Sequence, residues 1–445
     1  MGNKKVYMLG IGGIGMSALA RYYHSQGAMV SGYDRTPSPL TKQLENEGMA
    51  IHYEDNPDLL PALIDTVVYT PAVPQDLQEM VEIRRRNIPM MKRSEALGEI
   101  TKSHFTIAVA GTHGKTTTTA MVAHILKENG IDMTAFIGGI ANNFNSNIHL
   151  GTTKEAVIVV EADEFDRSFL HLVPDISIIN SIDADHLDIY GDKSHVIEGF
   201  NAFARLTQRN VIVKEGLPIE VEDAVLHHFG LNNQNSYRAN HIHQHEGETD
   251  FDIEYLDTQT HIHLEMAGIH NVLNATAAFA AAFETGLEAN GIAAALASFK
   301  GVRRRFDIRV KNDRHVFIDD YAHHPEEIKS CLSAIKASFP SKRLTLVFQP
   351  HLFTRTRDFM DDFAKSMAMA DDLILLDIYP AREKPIEGIS SQVLLDKVEL
   401  TSKCLCTKQQ LLETIDDRKP ELVVTMGAGD IDRFVEPLEK MISQW

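Results

Sequence analysis

Thr106-Ile107-Ala108-Val109-Ala110-Gly111-Thr112-His113-Gly114-Lys115-Thr116-Thr117 is the stretch on which the fold turns. A short apolar run closed by glycine reads as a buried strand, and the segment from Thr116 to about Glu128 reads as a helix. The loop between them is a shortened relative of G-x-x-x-x-G-K-[ST], which would require glycine where Val109 stands. Its chemistry is intact. Backbone N–H groups of Gly111, Thr112, His113 and Gly114 and the helix N-terminus suit phosphate oxygens. Lys115 suits the β and γ groups, and the hydroxyls of Thr116 and Thr117 suit Mg²⁺ and phosphate.

Upstream, the same alternation begins at Lys4 with an apolar run, a helix to about Gln26 and a strand from Met29 to Tyr33. The turn is Gly10-Ile11-Gly12-Gly13-Ile14-Gly15, a G-x-G-x-x-G pattern, and Asp34 follows about twenty residues on. Gly10, Gly12, Gly13 and Gly15 leave room for a pyrophosphate, and Asp34 suits ribose hydroxyls. The pyrophosphate can belong to a dinucleotide or to a UDP-sugar, and a tight turn alone would also use glycine. A strand at Thr66–Tyr69 and a helix through Arg84 to Arg86 carry this domain to Thr101.

Downstream, apolar runs at Val157–Val160 and Ile176–Ile179 end in polar residues, as parallel strands do where they deliver side chains to a site. The first ends in Glu161-Ala162-Asp163-Glu164-Phe165-Asp166, with Glu161 the foremost Mg²⁺ ligand. The second ends in Asn180-Ser181-Ile182-Asp183-Ala184-Asp185-His186-Leu187-Asp188, which places His186 among acids as a metal or phosphate contact. Asn233–Glu265, polar and rich in His, predicts an antiparallel hairpin outside the main sheet with solvent-facing histidines. Asn271–Gly286 reads as a buried helix. Beyond Arg303-Arg304-Arg305, strands at Val316–Ile318, Leu344–Phe348, Leu373–Leu376 and Leu422–Met426 alternate with helices.

The expected class is α/β with three domains, each a mostly parallel sheet with flanking helices. Residues 1–101 form a Rossmann-like domain, 102–305 a P-loop ATPase and 306–445 a second Rossmann-like domain. A length of 445 residues exceeds one hydrophobic core. The net charge of −19 argues against nucleic acid and anionic membranes as partners, so anions have to be held by local devices. Three cysteines point to a cytoplasmic, disulfide-free chain. Lys4 and Lys5 ahead of an apolar run imitate a signal peptide, but the glycines serve a phosphate turn instead.

Two nucleotide-type loops do not fit a simple dehydrogenase. They fit ATP activating a substrate that carries its own nucleotide handle. Gly111-Thr112-His113-Gly114-Lys115-Thr116-Thr117, Glu161-Ala162-Asp163-Glu164, Asp183-Ala184-Asp185-His186-Leu187-Asp188, Gly268-Ile269-His270-Asn271-Val272-Leu273-Asn274, Arg304-Arg305-Phe306-Asp307, Asp319-Asp320-Tyr321-Ala322-His323-His324-Pro325, Gln349-Pro350-His351 and Met426-Gly427-Ala428-Gly429-Asp430 resemble the Mur ligases over nearly the whole chain. The start and the Asp-Asp-Tyr-x-His-His-Pro segment are similar to the alanine-adding member.

That resemblance implies ATP and two Mg²⁺ ions as cofactors, with UDP-N-acetylmuramate and L-alanine as substrates in peptidoglycan precursor synthesis. It further implies a monomer or weak homodimer. Lys115 and Thr116 would bind phosphate and Mg²⁺, while Glu161 and His186 would hold metal. Asn271, Asn274, Arg305 and Asp320 would contact ATP or complete the site, with Tyr321 against adenine and His323 and His351 near the amino acid. Leu352 replaces the family's arginine after His351, leaving Arg355 for the substrate carboxylate. Sister ligases carry a carbamylated lysine downstream, and here no lysine lies between Lys193 and Lys214. Ala322 stands where glycine is usual. A recycling ligase that attaches a tripeptide is the neighbouring alternative, and an NAD-dependent dehydrogenase or nucleotide-sensing module is the alternative of another class.

Overall fold

Three sheets organise the chain, and the computed structural model describes residues 4–183, 193–381 and 383–445. The first sheet runs β3-β2-β1-β4-β5, all parallel, from β1 (Lys5–Leu9), β2 (Met29–Tyr33), β3 (Ala50–His52), β4 (Thr66–Tyr69) and β5 (Met90–Lys92). The chain leaves β1 toward one edge and returns to its other side, so a crevice opens at the C-terminal end of β1, where Gly10–Gly15 lie. Helix α1 (Ile14–Ser25) follows that loop and buries Met16, Leu19, Tyr22 and Tyr23 on one face.

The second sheet has ten strands in the order β15-β14-β13-β12-β11-β10-β6-β9-β7-β8. They are β6 (Thr106–Ala110), β7 (Met133–Ala141), β8 (Ser146–His149), β9 (Val157–Glu161), β10 (Ile176–Ile179), β11 (Asn210–Lys214), β12 (Val225–Gly230), β13 (Tyr237–His245), β14 (Glu248–Tyr255) and β15 (Thr258–Leu264). Again the strand that feeds a glycine loop, β6, stands where chain order reverses, with β9 on one side and β10 on the other. The following helix, here called α5 (Lys115–Glu128) after α2 (Pro39–Asn46), α3 (Gln78–Arg85) and α4 (Arg93–Thr101), is buried continuously from Thr116 to Leu126.

The polar segment after Asn233 corrects one expectation: it forms three strands joined to the main sheet, not a hairpin outside it. Strand β12 offers open backbone groups at its edge, and β13 takes them at Phe229↔Tyr237 and Gly230↔Arg238. Glu215 anchors the connection, accepting from the N–H groups of Leu231 at 3.1 Å and Asn232 at 3.0 Å. His241, His243, His245 and His261 are exposed, as their alternation requires.

Packing divides the chain into two compact units. One comprises the stretch up to Asn240 with Asp252–Ile262 and Leu273–Phe299; the other comprises His241–Phe251, His263–Val272 and Lys300–Trp445. In the first unit a single apolar core gathers Leu19 and Tyr22 of α1 with Phe136, Ile148 and Val160 of the second sheet. Buried Asn147 of β8 pins α1 to that sheet. Its Nδ2 donates to the Ile14 carbonyl at 2.5 Å and to Ser17 Oγ at 2.9 Å, and its Oδ1 accepts from Arg21 Nη1 at 2.8 Å.

The second unit holds the third sheet, β16-β17-β21-β18-β19-β20, parallel apart from β16. Its strands are β16 (Asp307–Lys311), β17 (Val316–Asp320), β18 (Leu344–Phe348), β19 (Asp372–Leu375), β20 (Lys403–Leu405) and β21 (Leu422–Met426). Phe317, Val347, Ile374 and Val423 lie in its core.

Asn147→Leu removes three hydrogen bonds and leaves buried polar partners unsatisfied, a loss of about 1–3 kcal/mol. Calorimetry is expected to show the transition of the first unit lowered by several degrees; an unshifted transition would contradict the pin.

Candidate active site

Neighbouring strands bring the second glycine loop its surroundings. Val109 pairs with Glu161 and Ala110 with Ile179, so Glu161 and Asn180 arrive on either side of Gly111. Gly114 has φ of 80°, and a Cβ there would strike Asn274 Oδ1 and approach Asn180 Nδ2 to 3.0 Å. The turn therefore excludes side chains twice over, by backbone conformation and by space. No side chain caps α5, so its first N–H groups remain directed at the loop.

Lys115 Nζ donates to the Gly111 carbonyl at 2.6 Å and to Glu164 Oε1 and Oε2 at 2.9 and 2.8 Å. Burial works against this ammonium, yet the carboxylates of Glu164, Glu161 and Asp163 outweigh it and raise its pKa. Burial likewise raises the pKa of Glu164, with Lys115 pulling the other way. Glu161 is held from behind, accepting from Gly138 N–H at 3.0 Å.

Ser181 and Asp183 tie down the loop's other half. Ser181 Oγ accepts from His113 N–H at 2.8 Å and shares a hydrogen bond with Thr112 Oγ1 at 2.9 Å. Asp183 Oδ2 accepts from Thr112 Oγ1 at 3.2 Å and lies 3.3 Å from His113 Nε2. The hydrogen bond from His113 holds the Asp183 carboxyl below its ordinary range. Sequence reasoning quoted Asn180, Ser181, Asp183 and Glu164 without assigning them; their position just past two strands beside β6 was the available signal. His186, with Asp185 and Asp188, lies outside the described residues.

At the first loop, Gly10 has φ of 79°, and its N–H and that of Ile11 donate to the Tyr33 carbonyl at 2.8 and 3.1 Å. Asp34 turns inward: Oδ2 accepts from Gly12 N–H at 2.8 Å and Oδ1 from Thr36 N–H at 3.2 Å. It thus fixes the loop as well as facing its mouth. A Cβ on Gly13 would meet only ordinary contacts, whereas one on Gly15 would strike Arg93.

The second unit assembles Arg305, Asp320, Tyr321, His323, His351 and Arg355. Asp320 accepts from the N–H groups of Phe306 and Ala322, each at 2.7 Å. The guanidinium carbons of Arg304 and Arg305 both lie 5.0 Å from the Tyr321 ring centroid. Asp319, buried beside Arg304 and Thr425, has its pKa pushed up to about 6, chiefly by burial. The rings of His323 and His351 are 6.2 Å apart. Burial and nearby Arg355 bias both to the neutral form, with His351 lowered to about 4. Asn271, expected near ATP, donates from Nδ2 to the Ala267 carbonyl at 2.8 Å.

Leu352, the departure from the family pattern, has φ of 70° and ψ of 135°, a backbone conformation that is strained for a branched residue. Its N–H donates to the Tyr379 carbonyl at 2.9 Å, and its carbonyl accepts from Thr356 Oγ1 at 2.7 Å.

Family models match three successive segments: "Mur ligase family, catalytic domain" over residues 5–105, "Mur ligase middle domain" over 109–282 and "Mur ligase, glutamate ligase domain" over 304–429. The UDP-N-acetylmuramate–L-alanine ligase of Christiangramia forsetii is 47% identical, over 99% of this chain and 98% of its own. That of Cytophaga hutchinsonii is 46% identical over 99% and 97%. Among solved structures, the UDP-N-acetylmuramate-alanine ligase of Thermotoga maritima superposes with a TM-score of 0.85 at 30% identity, covering 99% of this chain and 100% of that one. A murein peptide ligase of Psychrobacter arcticus shares the fold, with a TM-score of 0.73 at 24% identity over 100% and 99%. Among the described residues, no helix is long and apolar enough to cross a membrane.

Gly114→Ala is expected to raise the dissociation constant for ATP at least about tenfold, since strain at φ > 0 and the Asn274 clash act together; calorimetric titration reads it, and unchanged affinity would refute the cradle. Acidification offers a second test. His270 and His351 have pKa values lowered to about 4 from 6.5, so between those limits the unfolded chain takes up protons that the fold refuses. Stability of the second unit should fall as pH drops from 6.5 to 4, by order 1–3 kcal/mol per histidine after allowing for partial exposure. Asp319, with its raised value, acts in the opposite sense below pH 6. His270→Gln should flatten the pH dependence of melting, and an unaltered slope would exclude that contribution.

Proposed function

Because the chain belongs to the Mur ligase family, we propose that it joins L-alanine to the lactyl carboxylate of UDP-N-acetylmuramate, cleaving ATP to ADP and phosphate, in peptidoglycan precursor synthesis. One observation carries the reading: two glycine loops stand at the C-terminal ends of β1 and β6 within a single compact unit, and the second holds a buried lysine. The first suits the UDP end and the second the ATP phosphates. The names borne by relatives at 46 and 47% identity over nearly full length support the substrate pair.

A carboxylate resists an amine because its negative charge repels the nucleophile and oxide is a poor leaving group. Transfer of the γ-phosphoryl group of ATP to a carboxylate oxygen removes both obstacles and gives an acyl phosphate and ADP. The alanine amine adds to the acyl carbon, loses its proton, and the tetrahedral adduct collapses to the amide with phosphate leaving. Amides of Gly111–Thr117 orient the phosphates, and Lys115 stabilises charge on the group in transfer.

The oxygen donors of Thr116 and Glu161 suit Mg²⁺, and those residues would hold it, leaving a second ion to His186. Among the described residues no group of three or more His, Cys, Asp or Glu gathers as a cage. When bound, Mg²⁺ would supply charge neutralisation at the phosphate oxygens. In the second unit, Arg355 beside two neutral imidazoles suits the alanine carboxylate, and Asn271, Arg305, Asp320 and Tyr321 suit a nucleotide.

ADP formation with ATP, Mg²⁺ and UDP-N-acetylmuramate is expected to depend on L-alanine; turnover with a tripeptide in its place would assign the recycling ligation instead, and no turnover with any amino acid would end the proposal. Lys115→Ala should cut phosphate release by about 10²–10³-fold or more. Affinity for UDP-N-acetylmuramate should stay within about two-fold, as for independent sites; loss of that affinity too would overturn the division of labour between the loops.

A further inference from the structure

Asn180, the first residue after β10, has one hydrogen bond left open. Its N–H donates to the Ala110 carbonyl at 3.0 Å, and its Nδ2 donates to Thr118 Oγ1 of α5 at 2.9 Å. The side chain lies against the second glycine loop. A Cβ on Gly111 would come within 3.1 Å of the Asn180 Cβ, and one on Gly114 within 3.0 Å of Nδ2. Oδ1, in a residue only 6% exposed, has no partner among the described residues.

A buried carboxamide oxygen that accepts nothing is costly, so its presence calls for a donor brought from outside. Donors around the loop are already committed. The N–H groups of Thr112 and His113 go to the carbonyl and Oγ of Ser181, and the Lys115 ammonium goes to Gly111 and Glu164. The phosphate groups of metal-bound ATP carry acceptors only. What ATP does bring into a phosphate cradle is the water on its metal, because Mg²⁺ held by few carboxylates and by phosphates keeps several waters, each with O–H groups to give.

Strand order puts the amide within range. β9 and β10 flank β6, so Glu161 and Asn180 stand on either side of the loop, two strand spacings or about 10 Å apart at the backbone. A carboxylate, a hydrated Mg²⁺ of about 4 Å between opposite oxygens and an amide together span such a gap.

We propose that Asn180 is a positioning residue for the metal: its Oδ1 accepts a hydrogen bond from a water on the Mg²⁺ that Thr116 and Glu161 would hold. The inference rests on the ATP reading of this loop. An amide turned the other way would offer Nδ2 to a phosphate oxygen instead, and the test separates the two.

Asn180→Leu keeps the volume and deletes both polar atoms; Asn180→Asp keeps an acceptor and deletes the donor. Electron paramagnetic resonance of Mn²⁺ in the ADP complex of the full chain reads metal affinity, and calorimetric titration of ADP in EDTA reads the nucleotide without metal. Asn180→Leu is expected to lower Mn²⁺ affinity by about 10- to 100-fold, as loss of a group that orients metal ligands does. Its affinity for ADP in EDTA should stay within about two-fold of wild type. Asn180→Asp, with a charged acceptor, should bind Mn²⁺ at least as tightly as wild type. Unchanged Mn²⁺ affinity in Asn180→Leu overturns the proposal, as does a loss of Mn²⁺ affinity in Asn180→Asp. Equal weakening of ADP with and without metal in Asn180→Leu overturns it in favour of a phosphate contact. A wild-type chain that binds ADP no better with Mg²⁺ than with EDTA would overturn the ATP and metal reading beneath it.

Discussion

A buried ammonium must have its charge answered, and the answer given to Lys115 shapes the centre of the first unit. The Gly111 carbonyl and both oxygens of Glu164 surround Nζ. For that to happen β9 must end beside β6, and the chain must turn back sharply after Glu161. The neighbouring strand β10 then delivers Asn180 and Ser181 to the opposite side of the loop. Strand order, loop conformation and the placement of acids are thus one arrangement, organised around a positive charge that the low-dielectric interior would otherwise expel.

The two glycine loops are mechanically linked as well. The β7–β8 hairpin touches both: Gly138 on β7 donates to Glu161, while Asn147 on β8 grips the first turn of α1. The loop that suits a nucleotide-linked acid is therefore registered against the carboxylate that suits a metal by one short antiparallel pair. Reactions that pass a phosphoryl group between two bound molecules depend on such registration, because misplacement by an ångström is costly in rate.

Much of this was legible in the sequence because its signals are local. Parallel strands such as Met29–Tyr33, Thr106–Ala110, Leu344–Phe348 and Leu422–Met426 are apolar runs between turn residues, and their ends coincide with the observed ones. Both glycine loops and the acids after β9 announce themselves by spacing alone. What escaped was set by tertiary pairing. Nothing near Asn233 states that the edge of β12 will accept another strand, so a sheet extension read as a detached hairpin. Glu164 and Glu161 are indistinguishable in a run of acids until the chain's turn sends one to Lys115 and the other to Gly138. Arg93 sits far along the chain from Gly15, and only folding shows that one residue's missing side chain is the other's seat.

Gly114 carries a consequence for drug resistance. Its backbone angle and its proximity to Asn274 and Asn180 leave no space for any side chain, and the main-chain amides proposed to hold the phosphates survive every substitution except one to proline. An inhibitor that took its affinity from those amides would meet a target with few single-substitution escapes at this position, since the changes that repelled it would also dismantle the cradle. Compounds that lean on side chains, such as the leucine at 352, enjoy no such protection.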